Sequence, residues 1–430
     1  MNTHPVALEP AASAKVGTDA GTRYAERERR IADAIALKEP DRVPIAYSSV
    51  FFHAQYAGMS NRKVMYDYEA LAEALKRVAL DLQPDAVNTP FKSSTFGLVS
   101  DILGYNAWQW PGHGIAEDRP YQYLDRERMR ADEYADFIED PSWFLLTRFL
   151  PRVADAFKPF ENFPQLAART GLRVPYIARY FAGPDVAAAF ARLAEAGEEI
   201  EKVSERAEAF EHELAELGFP LDSYAACHAP YDYFGDYLRG SKGIMLDLFR
   251  NKDKLLEAME VVIPMTIREV VKNAEGGPNN RVHITLHWGL DGFMSPAQFK
   301  TFYWPQLRKV MMGLIENGLV PYVFWEGNCD SRLETIADIP KGACIYKFER
   351  SDLFRAKAVL GDTVCLRGNV PVSMLISGTP QEVLDYSRKL IKVVGKGGGF
   401  ILDASAGIPQ EAKKENVFAM FQAARDFGRY

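Results

Sequence analysis

The chain has 430 residues, of which 47% are hydrophobic and 25% are charged, a composition typical of a globular protein with a sizeable core. The formal net charge is −7 and no run of basic residues occurs, which disfavours a nucleic-acid partner. No apolar stretch approaches the roughly 20 residues of a membrane span, and the four cysteines form no CxxC pair, so the sequence predicts a reduced, cytoplasmic protein without membrane association.

Residues 1–22 are small, polar and aperiodic, which predicts a disordered N-terminal tail. A helix is predicted next, over RYAERERRIADAIALK, and the Pro and Asp residues after it indicate a turn into a strand. Short apolar runs then alternate with amphipathic segments. Eight of these runs are predicted to be parallel strands, at 43–49, 85–91, 223–230, 281–288, 321–326, 343–349, 363–369 and 399–404. The pattern favours an α/β protein, a (β/α)8 TIM barrel, with a single domain over 23–430.

The segment between the second and third predicted strands, about 92–222, is too long for one crossover connection. It contains a stretch at 110–125 that predicts a hairpin or extended loop, followed by a long charged helix over 185–218. We interpret the segment as a helical and hairpin insertion, either a lid over the barrel mouth or a dimer arm.

Polar side chains occupy the C-terminal ends of the last five predicted strands. Because strand side chains alternate between two faces, the mixed face of each strand is expected to point into the barrel and the apolar face towards the helices. The polar residues on the inward faces are His287, Glu326, Glu349, Asn369 and Asp403. The C-terminal rim is where barrel enzymes place their active sites, so the sequence predicts a shared polar pocket.

Glu326 has no basic residue in the surrounding stretch, so its partners are expected on adjacent strands. A buried carboxylate must be paired, protonated or bound to a metal. His287 with Glu326 and Glu349 is a nitrogen and oxygen donor set that suits zinc. An ion-pair network of Glu326 with Lys347 and Arg367 would need no metal, and the residue pattern leaves both alternatives open.

Aromatic, basic and amide side chains near the same strand ends are predicted to bind substrate. These candidates are Tyr231, Tyr233, Arg239, Phe324, Arg367 and Asn369. They would line a pocket for a small, partly aromatic molecule. Tyrosine and arginine also serve as ordinary packing on helix surfaces, and the sequence leaves that alternative open for the three residues after the third strand.

Several segments resemble the uroporphyrinogen decarboxylase superfamily. They are DGFMSPAQFKTFYWPQL, RGNVPVSMLISGTPQEV, GGGFIL and KKENVFAM, in the order and spacing of that superfamily, with RRIADAIALKEPDRVPI near the N-terminus. The resemblance covers roughly residues 25–50 and 223–425 and implies a (β/α)8 barrel that is often a homodimer. The superfamily contains cofactor-free decarboxylases and zinc-dependent methyltransferases, and the latter move methyl groups between substrates, corrinoid proteins and thiol or folate acceptors.

Departures from the superfamily patterns distinguish between these branches. True decarboxylases carry arginines after the first strand that grip substrate carboxylates, whereas AYSSVFFHAQYAG contains none, and DASAGIP lacks their histidine near the last strand. The His-x-Cys pair and further Cys of thiol-activating methyltransferases align with Phe324, Glu326 and Ala406. Some O-demethylases of the superfamily are similar in using Glu and His in place of Cys. No DxHxxG motif occurs, so any corrinoid would be carried by a separate protein.

We therefore interpret the chain as a methyltransferase of this superfamily that performs corrinoid-dependent methyl transfer of the O-demethylase type. Glu326, His287 and Asp403 are predicted to be catalytic, and a zinc ion would be bound by His287, Glu326 and Glu349. The expected partners are a separate protein carrying the corrinoid (cobalamin) and a second copy of the chain. The alternatives are a cofactor-free decarboxylase, in which Asp403 or Glu326 stabilises a protonated intermediate, and a non-catalytic paralogue that binds a tetrapyrrole or corrinoid.

Overall fold

The computed structural model describes residues 19–430, apart from the side chains of Lys92, Ser93 and Ala168. Residues 1–18 of the predicted tail lie outside the described residues, and the first helix begins at Asp19, inside the predicted tail. The eight predicted strands are all confirmed. They are β1 (Ala46–Tyr47), β2 (Ala86–Val87), β3 (Ala225–His228), β4 (Arg281–Leu286), β5 (Val320–Trp325), β6 (Ile345–Phe348), β7 (Cys365–Val370) and β8 (Phe400–Ala404).

The strands run parallel in the order of the chain. β3 to β8 form one six-stranded sheet, and β1 and β2 form a separate pair. Two isolated parallel bridges connect these sheets, Ile45 with Leu402 next to β8 and Val87 with Leu221 before β3. The resulting connectivity is the one that the predicted eight-stranded barrel requires.

β1 and β2 contain two residues each and are shorter than predicted. Prolines flank both strands, at Pro44, Pro84 and Pro90. Proline has no backbone N–H to donate, so these positions can contribute only a carbonyl to the ladder, as Pro44 does to the N–H of Leu402. Pro90 also precedes a short helix at Phe91–Ser94, which ends the predicted 85–91 strand early.

Helices cover the outside of the strands. Those of eight or more residues in the described chain are α1 (Asp19–Ile35), α2 (Tyr68–Leu82), α3 (Pro184–Glu216), α4 (Gly240–Arg250), α5 (Lys252–Ala274), α6 (Trp304–Glu316), α7 (Leu353–Leu360), α8 (Pro380–Val393) and α9 (Lys414–Phe427). Shorter α-helical segments are Phe52–Ala57, Asn61–Tyr66, Phe91–Ser94, Gly97–Leu103, Tyr134–Glu139, Pro141–Phe144, Leu150–Val153, Pro230–Asp232, Pro296–Gln298, Leu333–Ile336 and Val372–Ser377. Turns of 3-10 helix lie at Ala131–Glu133, Asp155–Phe160, Leu166–Ala168, Gly171–Phe181 and Asp330–Arg332, and π-helical turns at Leu145–Phe149, Tyr233–Arg239 and Phe299–Tyr303.

The segment between β2 and β3 contains the elements that the sequence predicts there. Trp108–Pro111 pairs antiparallel with Gln122–Tyr123, and α3 begins at Pro184 and ends at Glu216. The N-terminal end of α3 packs on the preceding residues in a small core of its own, around Phe160. That this segment is an insertion into the barrel stays a prediction.

The alternation predicted for the strands is confirmed in β4. Val282, Ile284 and Leu286 are buried on one face, whereas His283 and Thr285 on the other face are partly exposed. The polar face of this strand is therefore less tightly packed than the apolar face, and it leads to the loop that begins at His287. None of the helices in the described part of the chain combines the length and apolar character that crossing a bilayer requires.

Candidate functional site

His287 is the centre of a polar cluster at the C-terminal end of β4. Its Nδ1 atom lies 2.7 Å from Oδ2 of Asp236, and its Nε2 atom lies 3.7 Å from Oε2 of Glu326. The imidazole side chain is 38% exposed, so it is open to a ligand while its ring is held from two sides. We call His287, Asp232, Asp236 and Glu326 the His287 cluster.

The two aspartates of the cluster come from the helical turns that follow β3. Asp232 accepts hydrogen bonds from the backbone N–H of His287 (3.1 Å) and from the hydroxyl of Tyr303 (2.8 Å). Asp236 accepts from Nε1 of Trp288 at 2.8 Å, in addition to its contact with the imidazole. These carboxylates therefore fix both the backbone and the side chains of the loop after β4.

The electrostatics of the cluster favour a protonated imidazole. Burial lowers the pKa of His287, but the hydrogen bond that its Nδ1–H donates to Asp236 and the charges of Asp236, Asp232 and Glu326 outweigh burial and raise the pKa to about 9. Burial, with the neighbouring Asp236, raises the pKa of the Asp232 carboxyl. With a pKa of about 9, His287 is cationic at neutral pH, and its Nε2–H faces Oε2 of Glu326 at 3.7 Å.

Glu326 and Glu349 approach each other at the ends of β5 and β6. Burial raises the pKa of Glu326; His287 opposes this shift, whereas the nearby charge of Glu349 adds to it. Oε2 of Glu349 accepts a hydrogen bond from the backbone N–H of Gly327 at 2.7 Å, and Oε1 lies 3.4 Å from Nε of Arg350. The structure thus brings His287, Glu326 and Glu349 into one region, as predicted.

A second group of charges is buried among the strands and involves Asp222, Lys347, Arg367 and Asp403, which we call the interior network. Arg367 donates to both carboxylate oxygens of Asp222 (2.6 and 2.9 Å) and to Oδ2 of Asp403 (2.9 Å). Lys347 donates to the same Asp403 oxygen at 2.7 Å. All four side chains are at most 6% exposed.

The interior network corrects the predicted partners of Glu326. Lys347 and Arg367 pair with Asp403 and Asp222, because these carboxylates lie deeper inside the ring of strands, and the basic partner of Glu326 is His287. The predicted catalytic role of Asp403 and the predicted substrate contact of Arg367 have no support in this placement, since their charged groups are mutually paired and shielded from solvent.

Two of the remaining substrate-binding candidates, Tyr231 and Arg239, are buried and bonded within the chain. Tyr231 is buried and donates its hydroxyl hydrogen bond to the carbonyl of Ile244, which is a packing role. Arg239 is buried with donors bound to Asp247 and to Glu127, away from the His287 cluster.

Three candidates remain beside the strand ends. Phe324 lies under the Lys347 ammonium, with the nitrogen 5.2 Å from the ring centre, between the interior network and the rim. Asn369 donates to the carbonyl of Ser351 at 3.0 Å, and it lines a cleft of about 580 Å³ together with Glu349. Tyr233 packs among aromatic rings, including Phe137.

A protein-bound zinc ion requires at least three donor side chains around one position. In the described residues, no group of three or more His, Cys, Asp or Glu side chains is arranged to hold a metal ion. The contact of His287 Nδ1 with Asp236 would leave Nε2 for a metal, and Glu349 keeps one free oxygen, so the obstacle is the placement of the three side chains and not the occupation of their donor atoms. His287, Glu326 and Glu349 in this geometry therefore do not fit a zinc ion with three protein ligands.

Sequence reasoning missed Asp232, Asp236 and His228. The two aspartates are four residues apart in YDYFGDY, the spacing that places side chains on one helix face, and this signal was available. His228 ends β3, like the other rim residues, and its Nε2 lies 3.2 Å from the hydroxyl of Tyr237. Burial lowers the pKa of His228, so this second histidine is neutral beside the cationic His287.

The large arginines buried in the second half of the chain all have acidic or carbonyl partners within the described residues. Arg239 binds Asp247, Arg281 binds Glu28, and Arg367 binds Asp222. Arg332 binds Asp291 in the same way. These guanidinium groups are buried and bound within the chain, except that Nη1 of Arg332 is buried without a hydrogen-bond partner.

A family model described as uroporphyrinogen decarboxylase (URO-D) matches residues 168–427, more than half of the chain. The chain therefore belongs to the uroporphyrinogen decarboxylase family, as the sequence resemblance predicts. The members of this family share the TIM-barrel fold, which agrees with the mixed α/β architecture and strand order described above.

Curated relatives match over part of their length. The chain is 32% identical over 132 residues to the uroporphyrinogen decarboxylase of Psychromonas ingrahamii, covering 30% of this chain and 36% of that protein. It is 26% identical over 234 residues to the enzyme of that name from an Azoarcus species, covering 54% of this chain and 63% of that protein. Both matches span less than two thirds of the relative's own length.

A solved structure, a methyltransferase from Methanosarcina mazei, is similar over nearly the whole chain. The TM-score is 0.60 at 16% sequence identity, and the alignment covers 93% of this chain and 98% of that one. At this identity the likeness shows the shared fold.

Proposed function

We propose that this chain is a methyltransferase that demethylates a small, partly aromatic methyl ether, with His287 as the general acid and with a corrinoid carried by a separate protein as the methyl acceptor. The observation that carries the proposal is the contact of His287 Nδ1 with Oδ2 of Asp236 at 2.7 Å, in an imidazole side chain that is 38% exposed. We take the eight strands to form a closed barrel around this site, with 92–222 as an insertion.

Demethylation of a methyl ether requires a proton on the ether oxygen. When the methyl group leaves, the C–O bond breaks, its electron pair stays on the ether oxygen, and the acceptor forms the new bond to carbon with its own electron pair. The oxygen is a poor leaving group as an anion, so protonation during bond breaking lowers the barrier. Nε2 of His287 supplies that proton, and Asp236 and Glu326 stabilise the imidazolium beforehand.

The rim favours a neutral or weakly charged substrate. Its accessible groups are the imidazole of His228 and the carboxylate of Glu326, the rings of Trp288 and Phe324 are largely buried, and the nearby Arg367 is bound within the chain. Aromatic walls favour a ring-containing donor by burying its faces. The structural similarity to a methyltransferase agrees with this reading at the level of the fold.

The proposal is tested with purified full-length protein, a panel of aryl methyl ethers, and chemically reduced free cobalamin as the acceptor. The expected result is release of the phenol together with methylated cobalamin. His287→Gln should lower the rate by about 100-fold or more, the range for losing a general acid. His113→Gln is the matched control, because His113 is an exposed loop histidine near Asp101. Absence of phenol with every donor, or an unchanged rate in His287→Gln, would contradict the proposal.

A cofactor-free decarboxylase is the second candidate, favoured by the family match and by the names of the curated relatives. Incubation with uroporphyrinogen under anaerobic conditions distinguishes the two. We expect no carbon dioxide, since the buried arginines described above are bound within the chain. Formation of coproporphyrinogen would reverse the order of the candidates, and tight porphyrinogen binding without turnover would indicate a non-catalytic paralogue.

A further inference from the structure

A cleft lies at the ends of β6, β7 and β8, beside the His287 cluster. Its volume is about 580 Å³, which is enough for a small organic molecule. Glu349 connects the two places, because it lines the cleft and its charge acts on Glu326. The proposed reaction takes place at His287 and leaves the cleft itself without a role.

Asn369 lines this cleft and carries a buried acceptor without a partner. The residue is 6% exposed, and its Nδ2 donates to the carbonyl of Ser351 at 3.0 Å. Because a carbonyl can only accept, this bond fixes the orientation of the amide and leaves Oδ1 as its second polar atom. Across residues 19–430, Oδ1 has no hydrogen-bond partner. A buried acceptor of this kind is stabilised when an N–H or O–H group of a ligand enters the cleft.

Two carboxylates also line the cleft, Glu349 and Asp352. Oε2 of Glu349 accepts from the backbone N–H of Gly327 at 2.7 Å, and Oδ1 of Asp352 caps α7 by accepting from two backbone N–H groups. The other oxygen of each carboxylate accepts no hydrogen bond from a described residue, although Oε1 of Glu349 lies 3.4 Å from Nε of Arg350. The polar lining therefore offers several acceptors to a ligand that carries donors.

This lining disfavours an anion. A carboxylate or phosphate would meet the charge of Glu349, which is 20% exposed, and the unpartnered oxygen of Asn369. The cations beside the cleft extend into solvent, since Arg350 is 75% exposed and Lys389 lies exposed over the ring of Phe354. Water and salt screen such exposed charges more strongly than the charge of a half-buried carboxylate.

The remaining walls of the cleft are apolar and aromatic. Phe354, Pro371, Val372 and Tyr386 line it, and all four are partly exposed. Burial and the nearby charge of Asp352 raise the pKa of Tyr386, so its hydroxyl is neutral and adds no charge to the wall. Walls of this kind favour a ligand that buries a ring or a hydrocarbon chain.

We propose that the cleft binds a small aryl-alkyl amine, with the ammonium group held by Asn369 and Glu349 and the ring packed against the apolar walls. An ammonium group carries N–H donors and no acceptor, so it matches oxygens that lack donors. A hydroxyl group would also satisfy Asn369, but only the ammonium group neutralises the charge of Glu349 as well. The inference concerns binding alone, so it does not depend on the methyl transfer proposed above.

The test is isothermal titration calorimetry on the full-length protein with three ligands of similar shape, phenethylamine, phenethyl alcohol and hydrocinnamate. We expect the amine to bind about tenfold or more tightly than the alcohol, and the carboxylate to bind weakest of the three. Glu349→Gln should bring the affinity for the amine close to that for the alcohol, because it removes the charge and keeps the shape of the side chain. Absence of amine binding, or equal affinity for all three ligands, would overturn the proposal.

A pair of substitutions on one short helix locates the binding and guards against simple misfolding. Ser373 is exposed and lines the cleft, so Ser373→Trp fills the cleft from its edge and should abolish binding of phenethylamine. Ser377→Trp is the matched control, since Ser377 is exposed at the end of the same helix outside the cleft, and it should leave the affinity unchanged. Circular dichroism should show both variants folded. Amine binding that survives Ser373→Trp would place the ligand elsewhere and contradict the proposal.

Discussion

The Nδ1 atom of His287 and the Oδ2 atom of Asp236 lie 2.7 Å apart, although 51 residues separate them in the chain. Asp236 stands on the helical turn after β3 and His287 on the loop after β4, so the pairing of these two strands creates the contact. One edge of the imidazole is thereby fixed, and the proton on the other nitrogen is directed to the rim. The acid–base behaviour of the proposed site follows from this pair.

The first prediction concerns the pH dependence of activity. The pKa of His287 is raised to about 9, so the imidazolium persists at neutral pH and is lost as the pH rises through 9. Asp236→Asn keeps the size of the side chain and removes its charge, so the pKa of His287 should fall and the alkaline limb of the rate profile should move to lower pH. NMR titration of the imidazole measures the same shift directly. Asp338→Asn, at an exposed ion pair with Arg308, should leave the profile in place.

The second prediction concerns Gly235, which lies against the indole of Trp288. A Cβ at this position would come within 2.8 Å of Cδ1 of Trp288 and would push the ring away from Asp236. Gly235→Ala should therefore lower activity and alter the apparent pKa of His287, with the fold retained.

Gly197→Ala is the matched control for this change. Gly197 lies inside α3 with no atom within 4 Å of an added Cβ. The substitution should leave activity unchanged and should stabilise the protein by about 0.5–1 kcal/mol. Equal activity of the two variants would show that the position of Trp288 does not matter.

The strands and the rim could be read from the sequence because both depend on short-range patterns. Apolar runs located all eight strands, and the alternation of faces placed His287 and Glu326 on the inward side, where their side chains lie 3.7 Å apart. The prolines at 44, 84 and 90 were visible, but their effect on the lengths of β1 and β2 depends on which neighbours complete the ladder.

The interior network could not be predicted in the same way. Alternation gives the face of a side chain but not its depth, so Lys347 and Arg367 were assigned to Glu326 at the rim. Asp222, which pairs with Arg367, precedes β3 and is 145 residues away in the chain. Asp236 lies on the helical turn after β3. The pattern of polar residues at strand ends does not identify side chains on such turns, so the sequence did not predict this residue.

The third prediction concerns metal content. Because no three His, Cys, Asp or Glu side chains of the described residues are arranged around one position, we expect protein dialysed against zinc and then against buffer to hold well under one zinc per chain, by elemental analysis. Glu326→Gln should show the same content. About one zinc per chain that is lost in Glu326→Gln would instead support the zinc set predicted from the sequence.

The fourth prediction concerns acid stability. Burial would raise the pKa of Asp222, but the charge and hydrogen bonds of Arg367 outweigh burial and lower the pKa below its ordinary value. A carboxyl with a lowered pKa in the folded state contributes stability that is present above about pH 4 and is lost as the pH falls further. Urea unfolding should therefore give a free energy that decreases below that pH. Asp222→Asn should be less stable at pH 7 and should show a flatter acid limb, and an unchanged slope would contradict this account.

The fifth prediction separates the charge of the interior network from its packing. Asp403 is the shared partner of Lys347 (2.7 Å) and Arg367 (2.9 Å), and it has no exposed surface. Asp403→Asn leaves two buried cations with one carboxylate between them, so the free energy of unfolding should fall by about 3–5 kcal/mol. Adding Lys347→Met removes the excess cation and should recover much of that loss.

The coupling between the two substitutions decides whether Asp403 acts through its ion pairs. If the effects of Asp403→Asn and Lys347→Met were simply additive, the two side chains would not interact energetically, despite their contact. Glu334→Ala provides the exposed comparison, because Glu334 pairs with Arg355 at 2.9 Å on the solvated surface and should change stability far less than Asp403→Asn does. A strong loss confined to the buried pair, with preserved His287 titration, would establish that the interior network supports the barrel and leaves the proton chemistry to the rim.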